Sequence, residues 1–246
     1  MIELGRPDYT DLRLPPPPDD RPYVLINMVM SVDGKAVLSG TERGLGSKTD
    51  QRLMRELRVN ADVVLNGAGT LRASGSSSRL NDETLEQMRV DRGKPPAPMA
   101  AVLSQSGDLP LERAFFTARN FEAIVYLSDE APGERRQAIV STGRPLHVVP
   151  HADAVHAMLR HMRQDLGAAV LLVEGGPTLN GMLFAQGLVD EYCLTIGPVV
   201  VGGKGMLSVV EGGPKRTAET APRLDLLSAY MNSETSELYC RYKVRR

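Results

Sequence analysis

The chain has 246 residues, 42% of them hydrophobic and 24% charged, and a formal net charge of -1. That size and balance suit one large α/β domain with a sizeable core. The near-neutral charge without a basic stripe points away from nucleic-acid and membrane partners, and no apolar run approaches the roughly 20 residues of a membrane helix. No apolar run follows a basic start at the N-terminus, so no signal peptide is expected and cytoplasmic residence is the default. Residues 1–21 carry Pro15 to Pro18 and read as an extended arm, with the folded domain spanning 22–246.

Tyr23 to Met30 is an apolar run that predicts a buried strand, closed by the turn Ser31-Val32-Asp33-Gly34. Ser47 is an N-cap with Asp50 three positions on, and Leu53, Met54 and Leu57 recur at helical spacing over 48–59. Ala61 to Asn66 is a short strand that runs into Gly67-Ala68-Gly69-Thr70, a glycine turn able to open a helix. Ser74 to Ser78 reads as a flexible loop, and Asn81 to Val90 as a short helix.

Strands are expected at 99–103, 123–127 and 145–149, and helices at 133–140 and 156–166, the latter closed by Gly167. Ala168 to Val173 is a fully apolar strand ending in Glu174-Gly175-Gly176-Pro177-Thr178, with Leu179, Met182 and Leu183 at helical spacing beyond it. Tyr192, Leu194 and Ile196 alternate as a strand. Segments 223–231 and 235–244 look like an antiparallel pair. The alternation predicts α/β, with an antiparallel addition at the C-terminus.

Cys193 and Cys240 show no metal or disulfide spacing and are expected buried and reduced. His151, His156 and His161 are five residues apart, which turns a helix about 140° per step and scatters them. No metal site is expected from the four histidines. Asp129-Glu130 and Asp190-Glu191 read as solvated or strand-end charges. The basic cluster Arg241, Lys243, Arg245 and Arg246 reads as a frayed, solvated tail.

Two junctions stand out, Val63 to Thr70 and Leu171 to Leu179. In each, an apolar strand delivers a glycine turn to a helix start, where free amides and the helix dipole favour an anion. Either alone is also an ordinary tight turn. Together they suggest a ligand with two phosphate-bearing ends, such as a dinucleotide. Neither is the GxGxxG fingerprint of a Rossmann domain, and Gly46-Ser47-Lys48-Thr49 lacks the rest of a Walker loop.

With these loops in place, residues 22–73 and 168–206 resemble the reductase domain of the riboflavin-pathway deaminase-reductase family. The matching stretches are Pro22-Tyr23-Val24 to Ser31-Val32-Asp33-Gly34-Lys35, Leu57-Arg58 to Ala61-Asp62, and Gly67-Ala68-Gly69-Thr70. Val173-Glu174-Gly175-Gly176-Pro177-Thr178-Leu179-Asn180 follows, running through Gly187-Leu188-Val189-Asp190-Glu191 to Gly202-Gly203. The resemblance implies a dihydrofolate-reductase-like fold, a mostly parallel sheet flanked by helices, and a stand-alone reductase module, because the deaminase zinc motif is absent. It implies NADPH-dependent reduction of the ribose-derived carbon of a phosphoribosylamino-pyrimidine to a ribityl chain.

On this resemblance NADPH is expected at Gly67, Ala68, Gly69 and Thr70 and at Gly175, Gly176, Pro177 and Thr178. Arg72 is either a partner of the adenosine 2′-phosphate or an exposed surface arginine. Asn27 and Glu174 are the candidate catalytic residues, Glu174 either near cofactor and substrate or bracing the loop amides. Asp33, Ser74 and Arg79 are candidate substrate contacts, Asp33 alternatively holding its own turn and Arg79 alternatively solvated.

The family commonly has lysine at the position of Asn27 in bacterial bifunctional enzymes, and asparagine in archaeal-type enzymes acting on a 2,5-diamino-pyrimidinone phosphate. Where the family continues Arg-Ala-Asp-Asp-Pro, this chain reads Arg72-Ala73-Ser74-Gly75-Ser76-Ser77-Ser78-Arg79. The substrate expectation depends on that segment and the cofactor expectation does not. The alternatives are a same-fold reductase of another substrate, such as a pterin, and an inert dinucleotide-binding protein. A homodimer is expected, with C-terminal strands including Tyr239 and Cys240 at its interface.

Overall fold

The computed structural model describes residues 2–75 and 77–245. The serine-rich loop and the basic tail each include one residue outside that range, Ser76 and Arg246. Two compact units are formed, one from residues 1–9, 24–56 and 173–246, the other from 10–23 and 57–172.

The first unit contains β1 (Glu3–Leu4), most of β2 (Tyr23–Ser31), β8 (Glu191–Gly197), β9 (Leu224–Met231) and β10 (Leu238–Val244), in the order β1-β9-β10-β8-β2. β2 and β8 are parallel, with Asn27 opposite Cys193. β10 runs antiparallel to both β8 and β9, which is the expected terminal pair, and Arg241 falls opposite Cys193. Val24, Leu25 and Ile26 are fully buried in succession, as in a strand covered on both faces.

α1 (Lys48–Asn60) begins at Ser47, whose hydroxyl accepts from the Thr49 amide at 3.0 Å. The reciprocal half of the cap does not come from Asp50. The Ser47 amide donates to Glu237 of the β9–β10 turn at 2.6 Å, a carboxylate that only the tertiary fold brings there. Within the N-terminal arm Glu3–Leu4 pair with β9, Tyr9 is buried, and Arg6 donates to the buried Glu56 at 2.7 Å.

The C-terminal basic cluster is not a frayed tail over its described residues. Arg241 and Lys243 lie in β10, Arg241 donates to Glu191 at 2.6 Å, and Arg245 pairs with Asp225. Asp190 and Glu191 are strand-end charges, Glu191 opening β8, but buried rather than solvated, because Asp190 accepts from the Val24 amide and Glu191 from Arg241. Tyr239 and Cys240 are buried within this unit, so the surface expected of them is already used.

The second unit has β3 (Val63–Gly67), β4 (Met99–Ser104), β5 (Ala123–Ser128) and β6 (Leu146–Val149), parallel and in sequence order, with most of β7 (Val170–Val173) beside β3. Around them lie α2 (Ala68–Ser74), α3 (Glu83–Asp91), α4 (Ala114–Thr117), α5 (Gly133–Ser141) and α6 (Ala154–Gln164). α6 buries Val155, Met158, Leu159 and Met162 at helical spacing. Leu71, Val102, Phe115, Phe116, Val125, Leu127 and Ile139 form one core cluster, where each large side chain contributes about 1.5–3 kcal/mol by leaving water.

Candidate functional site

In the first unit, β7 ends at Val173 and Glu174 follows, half-buried. Gly175 has φ +88, a left-handed value that favours glycine, and its bond to Gly176 is cis. Pro177 opens α7 (Pro177–Ala185), and Gly176 at the N-cap has no side chain with which to cap the first-turn amides. Proline is preorganised for that first position, and the uncapped amides suit an anion.

The first turn of α7 is clamped by the segment around Val209 to Glu211. Asn180 Nδ2 donates to the Val209 carbonyl at 2.9 Å, and the Glu211 amide to the Pro177 carbonyl at 3.0 Å. A Cβ on Gly181 would lie 1.8 Å from the Glu211 carbonyl oxygen, so only glycine permits this approach.

Asn27 is the first half-buried residue of β2 after three fully buried ones. Past the end of that strand, Asp33 accepts from the Ser31 hydroxyl at 2.7 Å and from the amides of Val201 and Gly202 at 3.0 and 2.8 Å. The Ser31 hydroxyl, then those two amides, hold its carboxyl down at about 2. Asp33 therefore ties the β2 turn to the glycine loop that begins at Gly202, and Ala36 extends the tie through the Leu207 carbonyl.

In the second unit, Gly67 ends β3 and is the N-cap of α2, again with no side-chain cap. Leu71 is buried and anchors the helix, and Gly75 closes it at φ +64. Just before Gly67, the Asn66 amide oxygen is buried and has no hydrogen-bond partner among the described residues. Arg72 Nη1 donates to the Asp108 carbonyl at 2.6 Å. Ser74 turns its hydroxyl back to the Thr70 carbonyl at 3.0 Å. Arg79 reaches Ser77 Oγ at 3.3 Å and lies 5.7 Å from the Phe121 ring centroid.

The expected residues thus gather as two sets. Asn27, Asp33 and Glu174 to Thr178 belong to the first unit, and Gly67 to Thr70, Arg72, Ser74 and Arg79 to the second. Of the histidines, His161 Nδ1 lies 2.9 Å from the Tyr126 hydroxyl, and its ring is 3.8 Å from that of His147. Burial first, then His147, hold His161 below its usual range. Sequence reasoning missed Asn66, Asp108 and Arg135. An asparagine closing the apolar run Val63-Val64-Leu65 was the available signal for the first. Asp108, in the loop after β4, and Arg135, in the first turn of α5, meet only in the folded chain.

The RibD C-terminal domain family matches residues 22–235. The chain is 29% identical over 227 residues to the 2,5-diamino-6-ribosylamino-4(3H)-pyrimidinone 5′-phosphate reductase of Methanothermobacter thermautotrophicus, covering 92% of this chain and 99% of that one. It is 31% identical over 197 residues to the protein of the same name from Archaeoglobus fulgidus, covering 78% and 87%. Its fold is that of a pyrimidine reductase-like protein from Corynebacterium diphtheriae, at TM-score 0.82, 22% identity and coverage of 92% and 93%. The likeness extends to a dihydrofolate reductase from Enterococcus faecalis, at TM-score 0.51, 11% identity and coverage of 91% and 97%. With the family's motifs in place from the first strand to the glycine loop at Gly202, the chain belongs to the RibD C-terminal domain family.

Proposed function

We propose that the protein is an NADPH-dependent reductase of a phosphoribosylamino-pyrimidine, converting the ribose-derived carbon to a ribityl chain as in riboflavin biosynthesis. The observation that carries this reading is the junction from β7 through Glu174 to the uncapped start of α7. The name shared by the two archaeal relatives supports the substrate class. The cofactor fits the residues present: glycines at both helix starts let a backbone approach phosphate, and the orphaned Asn66 oxygen offers an acceptor beside one of them. The dihydrofolate reductase of the same fold was solved with NADP(H).

Gly175, Gly176, Pro177 and Thr178 are the proposed cofactor contacts of the first unit. Gly67, Ala68, Gly69, Thr70 and Arg72 are those proposed for the second. When bound, the nicotinamide supplies hydride to the ring-opened imine. Asn27 offers a donor and an acceptor to the pyrimidine edge. An amide is no cationic proton donor, so water delivers the proton to nitrogen. Glu174 orients the reacting groups at the strand end. Asp33, which holds the loop at Gly202, is a proposed substrate contact, and Ser74 and Arg79 approach the substrate phosphate. The protein works in the cytoplasm as a homodimer, and exposed Leu224, Leu226 and Leu227 of β9 are the apolar surface offered to the second copy.

Purified protein is mixed with NADPH and with either the 2,5-diamino-pyrimidinone phosphate or the 5-amino-uracil phosphate, and loss of dihydronicotinamide absorbance is followed. Oxidation with the diamino compound at ordinary enzyme rates is expected. Gly176→Val, which puts methyl groups at the phosphate-facing backbone, should abolish NADPH binding. Firm NADPH binding without oxidation of either compound would move the fold to another substrate, such as a pterin. That outcome would trace to Ser74 to Arg79, where the family's acidic pair and proline are missing.

A further inference from the structure

Asp50 stands in the first turn of α1, and the helix does not need its carboxyl there, because Ser47 and Glu237 supply the cap. The carboxyl packs against Gly46. A Cβ on that glycine would fall 2.3 Å from Asp50 Oδ2 and 2.7 Å from its Cγ, so glycine at this position makes the room. Leu45, just before it, is buried, and its carbonyl oxygen lies so close to Gly197 that a Cβ there would come within 1.8 Å. Beside this contact the Asp50 carboxylate accepts from the Thr195 hydroxyl and feels the charge of Glu237. All of these residues, and Asn27, belong to the first unit.

Strand register brings the pair close to Asn27. Thr195 of β8 is the partner of Val29 of β2, as Cys193 is of Asn27. Side chains two apart on a strand share a face, so Asn27, Val29, Cys193 and Thr195 line one face of the β2–β8 pair. The hydrogen bond from Thr195 brings the first turn of α1 over that same face. Two residues along and one strand across make a diagonal of about 8 Å from Thr195 to Asn27, short enough for one water and a substrate atom to bridge. Thr195 is also two residues from Gly197, at the carboxyl end of β8, where α/β sheets take their ligands. Stability gives no reason for a carboxyl here. Burial first, then the Glu237 charge, push it up to about 6, so it costs the fold free energy when ionised. Asparagine would keep the contacts without that cost, and carboxyls so placed belong to functional sites.

We infer that Asp50, acting through the Thr195 hydroxyl, is the source of the proton that completes the reduction. This rests on the reductase reading above. Asn27 carries no acidic proton, so the water beside the reacting nitrogen has to be resupplied. As hydride reaches the imine carbon, the C=N π pair withdraws to nitrogen, which takes a proton from that water. The water takes the Thr195 hydroxyl proton, and Thr195 Oγ1 takes the Asp50 proton. Asp50 is left as a carboxylate that accepts from Thr195, and solvent reprotonates it once product has left. Neither residue touches the substrate, so both are positioning residues for the proton.

The test has two readouts, one of them without cofactor or substrate. Carboxyl carbon resonances of the free protein, assigned by the loss of one in Asp50→Asn, should show Asp50 titrating at about 6. Thr195→Val should move that titration higher, since the lost hydrogen bond holds the carboxyl down. With NADPH and the diamino compound, kcat/KM of the parent should fall about tenfold per pH unit above about 6. Asp50→Asn should remove that limb and lower kcat about 100-fold, with NADPH affinity within about twofold, while its thermal midpoint at neutral pH rises rather than falls. Thr195→Val should lower kcat about tenfold and carry the limb to higher pH together with the resonance. An Asp50 carboxyl titrating at the ordinary value of about 4, or an unchanged kcat in Asp50→Asn, overturns the inference alone. A lowered kcat with the limb still in place also overturns it, because Asp50 would then only shape the site. No oxidation of NADPH by the parent with either pyrimidine overturns the reductase reading and this inference with it.

Discussion

Ser47 and Glu237, 190 residues apart in the chain, are joined by two hydrogen bonds of 2.6 Å, from the serine amide and hydroxyl to the two carboxylate oxygens. The hydroxyls of Tyr239 and Thr235 donate to the same carboxylate at 2.6 and 2.9 Å. Glu237 is thus saturated with donors at the start of α1. Asp50, one turn into that helix, is pushed up to about 6, chiefly by burial and then by the Glu237 charge, against a hydrogen bond from Thr195. A raised carboxyl favours the folded state while protonated. Its stabilisation is complete below the ordinary carboxylate range near 4 and is lost as pH rises through about 6. Asp50→Asn should therefore gain on the parent by about 1–3 kcal/mol between about pH 4.5 and 7.5. Thermal midpoints at the two pH values measure it, and an equal difference at both would remove the raised carboxyl.

Arg89 is buried, and it donates to four backbone carbonyls. Nη1 serves Arg58, Val59 and Ala61 at 2.7, 3.1 and 2.6 Å, and Nε serves Pro95 at 2.8 Å. It closes the C-terminal end of α1, where carbonyls lack helical partners and the dipole favours a cation. Burial holds its guanidinium down at about 10, so it remains charged at neutral pH. Arg89→Ala leaves those carbonyls without their partner and a cavity beside them. A loss of about 3 kcal/mol or more is expected, or a fall of roughly 6–12 °C in Tm for a chain of this length. A fall of a degree or two would mean that water replaces the guanidinium at little cost.

Elements with a strong local signal were legible from the sequence. The apolar runs at β2 and β7 and the helical spacing in α1 and α6 fall where expected, because burial and capping in those stretches agree with one another. What escaped were partnerships set by the sheet. Arg241 reads as a tail residue until β10 lies beside β8 and Glu191, two residues before its register partner Cys193, accepts from it. Ser47 finds its cap partner across almost the whole chain. The short pieces Glu3–Leu4 and Ala114–Thr117 have too few residues for any periodicity. At the site, the glycine turns were visible as motifs. The contacts of Arg72 and Arg135 with Asp108 were not, because the three residues come from α2, α5 and the loop after β4.

Asp33 tests whether the tie between the β2 turn and the glycine loop serves the reaction. Its carboxyl, held at about 2, stays ionised above roughly pH 3. A depressed carboxylate keeps its contribution above the ordinary range near 4 and loses it as pH falls through about 2. The loop should therefore stay fastened throughout the neutral range, and no limb of the rate profile there belongs to this group. Asp33→Ala removes the acceptor for the amides of Val201 and Gly202. KM for the pyrimidine should rise about tenfold, the loss expected for contacts to a charged acceptor at an exposed site. Asp33→Asn, which keeps one acceptor oxygen, should recover part of that. Unchanged kinetics in Asp33→Ala would separate the loop from the substrate.

On the proposed function, Asn27 is the residue expected to decide between the two pyrimidine substrates. It follows three fully buried residues on β2 and pairs with the third position of β8, Cys193 being its register partner two residues after Glu191. Asn27→Leu keeps the volume and removes both the donor and the acceptor. It should lower kcat/KM for the diamino compound about 10- to 100-fold, the cost of one or two lost polar contacts, while NADPH affinity stays within about twofold. Asn27→Lys introduces the group common in the bacterial bifunctional enzymes. The ratio of kcat/KM should then move from the diamino compound toward the 5-amino-uracil compound, and a new limb should enter the pH–rate profile, since lysine titrates and asparagine does not. A ratio unmoved by either substitution would take residue 27 out of substrate choice. The altered segment from Ser74 to Arg79 would then be the next place to seek it, through exchange for the family's Asp-Asp-Pro sequence.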